Sequence, residues 1–445
     1  MSDQFDVLCN QWQQLLEDAS TSPRLLLLKK FRDDLMCLPG LSQDLLNDHF
    51  SVLHHHYPSI RINDIFHHVS KELQYKLGDP PQPSSESTRL LDALRLDSNM
   101  RRLFRSIGPL HPGWYSWRDR QIQRFHREDM TSRESHIMYI PFAIELTQGC
   151  SGGCSFCGLS ADYLEPVNSS FLEVRSSCEE FLLHMKDVHG GFGRCGVLYW
   201  ATDPLDCPDY IHFGNLFQDI FHVWPATTTA LAEKYPSRFR DLLNTKALRR
   251  PWGVRCSLRN LRAYLRIHEL VTPLERFAIG FIPQFRANSE SQANAGRLYS
   301  SISESSGQKP GGTIACMAGL LVNFPQKSVE LITPCLAEPN HPNGYRSLIH
   351  FDMEHNDQLS SYTSKILSQL PTITTKLSSK LSVVIHPSQF QLYEQNDMPK
   401  VLTILSKTPL SLSQLIRALP QNGDQARIIL YCLELIQHGV IRSVT

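Results

Sequence analysis

Three cysteines lie within eight positions of one another in the stretch GCSGGCSFCGLS, at Cys150, Cys154 and Cys157. The other nine of the twelve cysteines are scattered singly, which is ordinary for small buried side chains. Thiolates crowded into one Gly/Ser-rich turn instead indicate a bound metal or cluster. The spacing Cys-x3-Cys-x2-Cys is therefore the first candidate for chemistry in this chain.

Three kinds of site compete for this spacing. A structural zinc site usually takes four ligands from two Cys pairs, and the sequence has no second CxxC pair. A disulfide is disfavoured in the reducing compartment that we expect, because the N-terminus does not read as a signal peptide. A [4Fe–4S] cluster held by three thiolates would leave one iron without a protein ligand, and that iron can bind a small chelating molecule.

The spacing, the aromatic Phe156 before the last cysteine and the preceding strand FAIELTQG resemble the signature of the radical S-adenosylmethionine (SAM) superfamily. The resemblance covers about residues 140–286. It implies that Cys150, Cys154 and Cys157 hold the cluster and that SAM chelates the open iron. An electron from the cluster would then cleave SAM to give a radical that abstracts a hydrogen atom. It also implies a partial (β/α)6 barrel with the cysteine loop after its first strand.

The same resemblance points to further SAM contacts. The second strand of the family often ends in Gly-Gly-Glu, and Ala201-Thr202-Asp203 stands there in LYWATDPLD. Asp203 is therefore the candidate for the SAM amino group, with a simple turn at Asp203–Pro204 as the alternative. In GVRCSLRN, alternation puts Arg255, Ser257 and Arg259 on one face, which suits the ribose and carboxylate of SAM. An exposed charged edge is the alternative for these residues. Thr227 to Thr229 and Glu233 are weaker candidates for the barrel interior.

Around these residues the chain divides into three predicted parts. Residues 1–133 carry apolar residues at helical spacing, with a Pro/Ser linker at GDPPQPSSEST. Residues 134–350 alternate short strands with helices, which predicts a parallel α/β sheet or barrel. In that part, GLLVNFPQKSVELITP predicts an appended hairpin that turns at Pro325–Lys327. Residues 351–445 predict a helical or irregular linker and a winged-helix-like domain. The predicted strands are IMYIPFAIEL, CGVLYWAT, VWPATTTAL, GVRCSLR, RFAIGFIP and GLLVNF.

The flanking parts narrow the resemblance to enzymes that modify ribosomally synthesised precursor peptides. A winged-helix-like module in such enzymes binds the leader peptide as an added strand. The stretch from Gly311 to Tyr345 is similar to the substrate end of the polytheonamide-type peptide epimerases, which convert L- to D-residues. That family returns a hydrogen atom from a thiol after the Cα hydrogen has been removed. Cys335 is the first candidate for this thiol and Cys316 the second, and a small buried cysteine is the alternative for either.

Other radical SAM chemistries remain open at this point. Maturases that crosslink peptides usually carry closely spaced additional cysteines near the C-terminus, whereas Cys335 and Cys432 are isolated. A methyltransferase would usually bring a cobalamin domain, and the N-terminal helices show no strand–helix alternation for one. A small-molecule substrate and a degenerate barrel that only binds a partner are further alternatives. The intact cysteine triplet favours an enzyme over the last of these.

Composition limits the partners. The chain has 445 residues with 44 basic and 44 acidic side chains, so no overall electrostatic footprint for nucleic acid is expected. No apolar run approaches the roughly 20 residues needed to cross a bilayer. These features predict a soluble, cytoplasmic protein that binds neither nucleic acid nor membrane. The family resemblance implies a precursor peptide with its leader and an electron donor such as flavodoxin or ferredoxin as partners.

Overall fold

The computed structural model describes most of the first 370 residues. The described residues are 2–38, 40–41, 45, 57–69, 74, 81–128, 137–165, 170–251, 253–285, 294–299, 312–354, 358–370 and 414. The predicted winged-helix-like domain lies almost wholly outside them, as do Arg286 and Cys432. Across these described stretches, no helix is both long and apolar enough to span a bilayer.

The N-terminal part is helical, as predicted. Its helices begin at capping residues that the sequence supplies: Ser22 accepts from the Leu25 amide before a helix with Pro23 at its start, and Ser84 accepts from the Ser87 amide. The second cap starts a helix inside the predicted Pro/Ser linker. The helices are α1 (Ser2–Ser20), α2 (Pro23–Cys37), α3 (Ile62–Ile65), α4 (Ser85–Ser106) and α5 (Pro112–Glu128).

Short strands alternate with helices over the next part. The elements in chain order are β1 (Ile140–Glu145), α6 (Phe171–His189), α7 (Tyr210–Phe221), β2 (Thr227–Thr229), α8 (Pro236–Leu243), β3 (Val254–Leu258), α9 (Leu261–Leu270), α10 (Pro273–Ala278), β4 (Gly280–Pro283), β5 (Met317–Asn323), β6 (Ser328–Pro334), β7 (Tyr345–Asp352) and α11 (Leu359–Gln369). The chain therefore has the mixed α/β architecture that the pattern predicts.

The strands form two sheets among the described residues. One has the order β1-β5-β6-β7 and the other the parallel order β2-β3-β4. Val197 makes a single parallel bridge to Ala143 of β1, so the predicted strand CGVLYWAT is reduced to that bridge. These ladders do not close into a barrel within the part of the chain that the structure describes.

Two strand predictions differ from the structure. The predicted strand RFAIGFIP begins as helix α10, because Thr272 and Glu275 form a capping box around Pro273 and only Gly280–Pro283 is extended. The sequence patterns do not predict β7, which continues to Asp352. α11 then forms in the Ser/Thr-rich stretch for which helical or irregular structure is expected.

The predicted hairpin is confirmed, but it is more than an appendage. β5 and β6 are antiparallel partners around a turn in which Lys327 has φ 50°. β5 also pairs in parallel with β1, where Glu145 lies opposite Asn323. The hairpin therefore extends the sheet that begins with β1, and its turn lies at the carboxyl end of that strand.

β1 is buried on both faces, as its apolar composition requires. On one face Phe142 packs edge-on against Phe181 of α6, and Ile144 joins the same apolar cluster. On the other face Ile140 and Ala143 join a cluster that includes side chains of α1 and α4. The N-terminal helices thus pack directly against the strands that carry the candidate site.

Candidate metal centre

The three cysteines lie in a loop that starts directly after β1. The loop turns at Gly149, whose φ of +76° suits glycine, and a Cβ there would lie 2.3 Å from the Tyr163 carbonyl oxygen. The Cys150 amide donates to the Asp162 carbonyl over 2.9 Å, and the Glu165 backbone amide donates to the Gln148 carbonyl over 2.9 Å. The loop therefore closes on itself and presents its cysteines beyond the carboxyl end of β1.

Two of the sulfurs lie beside Gly152. A Cβ added to Gly152 would lie 3.2 Å from Cys150 Sγ and 3.4 Å from Cys154 Sγ. Backbone amides also point at sulfur: Gly152 donates to Cys150 Sγ over 3.3 Å, and Ala161 donates to Cys157 Sγ over 3.4 Å. Amide donors favour the charged form of a sulfur ligand, which is the form that binds metal.

An acidic side chain that the sequence analysis missed holds this loop. Asp206 accepts from the Ser151 amide over 2.8 Å and from the Ser151 hydroxyl over 2.5 Å. Asp206 is buried and lies in the short 3-10 turn Pro204–Asp206, three residues after the predicted Asp203. The segment that follows the predicted second strand, CGVLYWAT, therefore holds the loop at Ser151, between the first two cysteines.

Two arginines hold the loop through its carbonyl groups. Arg259, just beyond β3, donates to the Gly152 carbonyl over 3.3 Å and forms a 2.6 Å ion pair with Glu233. Arg297 donates to the Cys154 carbonyl over 3.1 Å and to the Ala161 carbonyl. Arg259 was predicted as a site residue and Arg297 was not, because its distance of more than 130 positions from the cysteines leaves no local signal.

The thiols of Cys150 and Cys154 are neutral in this environment unless a ligand changes it. Burial raises the pKa of Cys150 to about 12, against the opposing effect of the Gly152 amide. Burial likewise raises the pKa of Cys154 to about 11, although Arg259 and Arg297 oppose it. Binding of a metal or cluster at these residues must therefore release protons, so it becomes more favourable as pH rises.

The donor set consists of three cysteine sulfurs, the ligand type that holds iron–sulfur clusters. Two of these sulfurs lie beside Gly152, where a larger side chain would crowd them. Across the described residues, no three His, Cys, Asp or Glu side chains are grouped closely enough to hold a metal ion.

Asp203 is engaged by the chain itself. It is 5% exposed, and its carboxylate accepts from Leu205 N at 3.0 Å, Thr229 Oγ1 at 2.8 Å and Ala230 N at 2.7 Å. Burial raises its pKa to about 6 despite these donors. These hydrogen bonds link Asp203 to the end of β2. This structural role resembles the alternative interpretation from the sequence, in which Asp203 and Pro204 form a turn.

The predicted alternation along β3 is confirmed. Val254, Cys256 and Leu258 are buried, whereas Arg255, Ser257 and Arg259 are half-buried on the other face. These three half-buried residues are the predicted SAM contacts, and Arg255 donates to the Tyr199 hydroxyl over 3.3 Å.

The remaining predicted residues contact different neighbours near the ends of β2 and β3. Tyr199 donates to Thr228 over 2.9 Å, which puts Thr228 on the side of Arg255. Thr227 hydrogen-bonds Tyr210 of α7, and Glu233 pairs with Arg259. Phe156 is half-buried within the loop itself.

The two candidate hydrogen donors lie at the other end of the hairpin. Cys316 precedes β5 and Cys335 follows β6, so both lie opposite the hairpin turn, where β1 begins. The Cys316 carbonyl accepts from Ile140 N over 2.8 Å, and Cys335 N donates to the Gly344 carbonyl over 3.0 Å. The segment before Cys316 still borders the cysteine loop, because a Cβ on Gly158 would lie 2.7 Å from Ile314 Cγ2.

The two thiols differ in exposure. Cys335 is 0% exposed, whereas Cys316 is half-buried. Burial raises the pKa of Cys316 although Arg255, Arg101 and Arg105 oppose it, so this thiol keeps its proton near neutral pH.

Comparisons with known proteins add one relative without a described activity. The chain is 31% identical over 244 residues to an uncharacterized protein, y4wI, of Sinorhizobium fredii. The match covers 53% of this chain and 47% of that protein, so the chain spans about half the length of the curated relative it matches. No family model matches the chain, and no solved structure matches it.

Proposed function

We propose that the chain is a radical SAM enzyme with a partial (β/α)6 barrel. The observation that carries this proposal is the cysteine loop beyond the carboxyl end of β1, held by the segments after the second strand position and after β3. Active sites of α/β proteins lie beyond the carboxyl ends of parallel strands. The sulfur spacing, the amide donors and the absence of a side chain at Gly152 beside two of the sulfurs support a cluster there.

In this proposal Cys150, Cys154 and Cys157 hold a [4Fe–4S] cluster. With SAM bound, that cluster would supply a radical that abstracts a hydrogen atom. The protein fixes the loop through Asp206, and Arg259 and Arg297 bring positive charge to its carbonyl side.

SAM contacts in this proposal come from β3 and from the segment beside it. Arg255, Ser257 and Arg259 share one half-buried face, and guanidinium groups suit a carboxylate. Because its oxygens already accept three hydrogen bonds, Asp203 is proposed to shape the SAM pocket with Thr229.

The test of the proposal is anaerobic reconstitution with iron and sulfide. We expect about four irons per chain, the paramagnetic signal of a reduced [4Fe–4S] cluster, and cleavage of SAM to 5′-deoxyadenosine. Cys150→Ala, Cys154→Ala and Cys157→Ala should each lose all three. Cys9→Ala, a matched change outside the loop, should keep them. Protein that binds only zinc, or iron that never supports SAM cleavage, would overturn the proposal.

We further propose that the substrate is a ribosomally synthesised precursor peptide and that the reaction is L-to-D epimerisation. The thiol of Cys316, a residue that is not fully buried, keeps its proton and supports this proposal, because inversion needs a hydrogen atom delivered to the opposite face of the Cα carbon. A leader held by a flanking domain and an electron donor such as flavodoxin or ferredoxin complete the proposal.

The test uses a neighbouring precursor peptide with the reconstituted enzyme and SAM in heavy water. Epimerisation adds one solvent deuterium per altered Cα and makes no other change in mass. A loss of two hydrogens would replace this proposal with crosslinking, and the gain of a methyl group would replace it with methylation.

A further inference from the structure

Glu145, the last residue of β1, carries a carboxylate that joins three segments of the chain. It is 6% exposed, and Oε1 accepts from the Ala201 amide over 2.7 Å. Oε2 accepts from Asn323 Nδ2, at the end of β5, over 2.5 Å. The carboxylate therefore holds the segment after Val197 against the carboxyl ends of β1 and β5.

This carboxylate is buried, and the two hydrogen bonds that hold it among the described residues both come from uncharged donors. Burial raises its pKa to about 7, with a smaller contribution from Glu330. A buried acid held only by neutral donors is costly, and an apolar residue would fill the end of a buried strand at lower cost. The position of the bonded amide gives a reason for the acid.

The bonded amide belongs to the segment that the sequence analysis singled out. Ala201 is held by Glu145, and Asp203 is held by Leu205, Thr229 and Ala230. The backbone is thus fixed on both sides of Thr202, which is half-buried at the strand ends. Loss of the Glu145 bond would free the side nearer to β1.

We propose that Glu145 is a positioning residue that fixes the Ala201–Asp203 backbone in the conformation that receives SAM. The inference rests on the proposed function for the identity of the ligand. Glu145 touches neither the ligand nor the reacting atoms in this assignment. It acts through the Ala201 amide, and the hydrogen bond from Asn323 holds the carboxylate in the orientation that faces this amide.

The test is a reciprocal exchange of amide and carboxylate. In Glu145→Gln, an oxygen that stays on Ala201 points the introduced amide group at Asn323 Nδ2. Two donors then face each other, so the side chain cannot hold Ala201 without that clash. Asn323→Asp alone places two carboxylates side by side. In the double variant the side-chain amide introduced at position 145 donates to the carboxylate introduced at position 323, and its oxygen again accepts from Ala201. The Gln326 backbone amide can donate to the side-chain oxygen at position 323 in every variant. The Gln326 side chain accepts from Asn323 Nδ2 in the wild type and must turn its amide group over to donate to the carboxylate introduced by Asn323→Asp.

The first readout needs no cofactor. Hydrogen exchange of peptides that cover Ala201 should be about tenfold faster in Glu145→Gln, because its protecting hydrogen bond is lost. The double variant should return to within about threefold of the wild type. Glu330→Gln, which removes a neighbouring carboxylate that does not contact Ala201, is the matched control and should exchange as the wild type does. Thermal melting checks that each variant is folded.

The second readout is equilibrium binding of SAM to the reconstituted proteins. We expect a dissociation constant about tenfold higher for Glu145→Gln at unchanged iron content, with rescue in the double variant. Wild-type exchange and affinity in Glu145→Gln, or no rescue in the double variant, would overturn the positioning role. If the wild type binds no SAM, the proposed function is wrong, and so is SAM as the ligand of the Ala201–Asp203 segment. The exchange data then still decide whether Glu145 holds the segment.

Discussion

At the scale of single residues, burial decides the protonation of the groups near the candidate site. Asp203 and Glu145 are both buried at strand ends and are held by neutral donors, which leaves burial as the dominant effect on each pKa. The folded state therefore binds these protons more tightly than the unfolded chain does. Such groups reduce stability as pH rises, which is opposite to the usual behaviour of paired carboxylates.

Asp203→Asn should change how stability depends on pH. The folded pKa of Asp203 is raised from 3.8 to about 6. Its contribution to stability is full below about pH 4 and is lost as pH rises to about 6, with a total on the order of 3 kcal/mol. The wild type should therefore lose more unfolding free energy over this window than Asp203→Asn does. Urea titrations at several pH values measure the difference, and parallel pH curves would contradict the expectation.

The thiol candidates also separate at this scale. In the proposed epimerisation a hydrogen donor must touch the substrate carbon. Both cysteines lie at the end of the hairpin away from its turn, and Cys316 is the more exposed residue, although Cys335 was the first candidate from the sequence. Cys316→Ala should abolish the D-product and leave SAM cleavage intact, whereas Cys335→Ala should retain both. Chiral amino-acid analysis and 5′-deoxyadenosine formation measure the two steps. Loss of D-product in Cys335→Ala alone would restore the original ranking.

At the scale of elements, the cysteine loop depends on neighbours from other strands. It closes on itself through Cys150 and Asp162, but Asp206, Arg259 and Arg297 set its position against the strand ends. Two of these three residues carry no recognisable motif. Their removal should therefore affect retention of a bound cluster rather than the identity of its ligands.

Asp206→Ala should weaken the hold on the loop. It removes both oxygens that accept from the amide and the hydroxyl of Ser151, and it leaves the Ser151 amide without its partner. An unsatisfied buried donor costs about 1–3 kcal/mol, so iron should be lost to a chelator about 5- to 150-fold faster. Ser151→Ala, which removes only the hydroxyl bond, should have a smaller effect. Equal iron loss in Asp206→Ala and wild type would show that the loop does not need this clamp.

At the scale of the whole molecule, the N-terminal helices are joined to the strand-bearing part by buried polar groups as well as by apolar packing. Lys29 of α2 pairs with Asp33 at 2.6 Å, and its ammonium lies 3.4 Å from the Ile279 carbonyl and over the Phe281 ring. Asp34 accepts from Tyr264 of α9. Burial lowers the pKa of Lys29 and raises that of Asp33, while their pairing opposes both shifts.

Asp33→Asn should destabilise the whole chain. It leaves the Lys29 charge buried without its carboxylate, which costs about 3–5 kcal/mol in comparable pairs. The double variant Lys29→Met with Asp33→Leu should recover most of that loss, because an apolar pair of similar volume needs no compensation. Urea midpoints give the comparison. A double variant as unstable as Asp33→Asn would show that the lysine contacts to carbonyl groups contribute more than the ion pair.

Local patterns in the sequence predicted several features correctly. The alternation along Val254–Leu258, the hairpin turn at Pro325–Lys327 and the N-terminal helices depend on side-chain period, turn chemistry and caps, which act over a few residues. The cysteine spacing is also a local pattern, and the structure places two of the three sulfurs, those of Cys150 and Cys154, beside Gly152. The chemistry proposed for that turn stays a prediction.

Only the tertiary structure decided how these pieces meet. The parallel pairing of β5 with β1 joins residues more than 170 positions apart, and the Asp206 clamp joins residues 55 apart. Neither has a local signal, because strand pairing and burial depend on which distant segments the whole fold brings together. Packing between distant segments also buries Cys335, leaves Cys316 half-buried and supplies the hydrogen-bond donors to the carboxylate of Asp203. The sequence by itself therefore determined which reactive groups the chain carries, whereas packing between distant segments determined which of them are accessible.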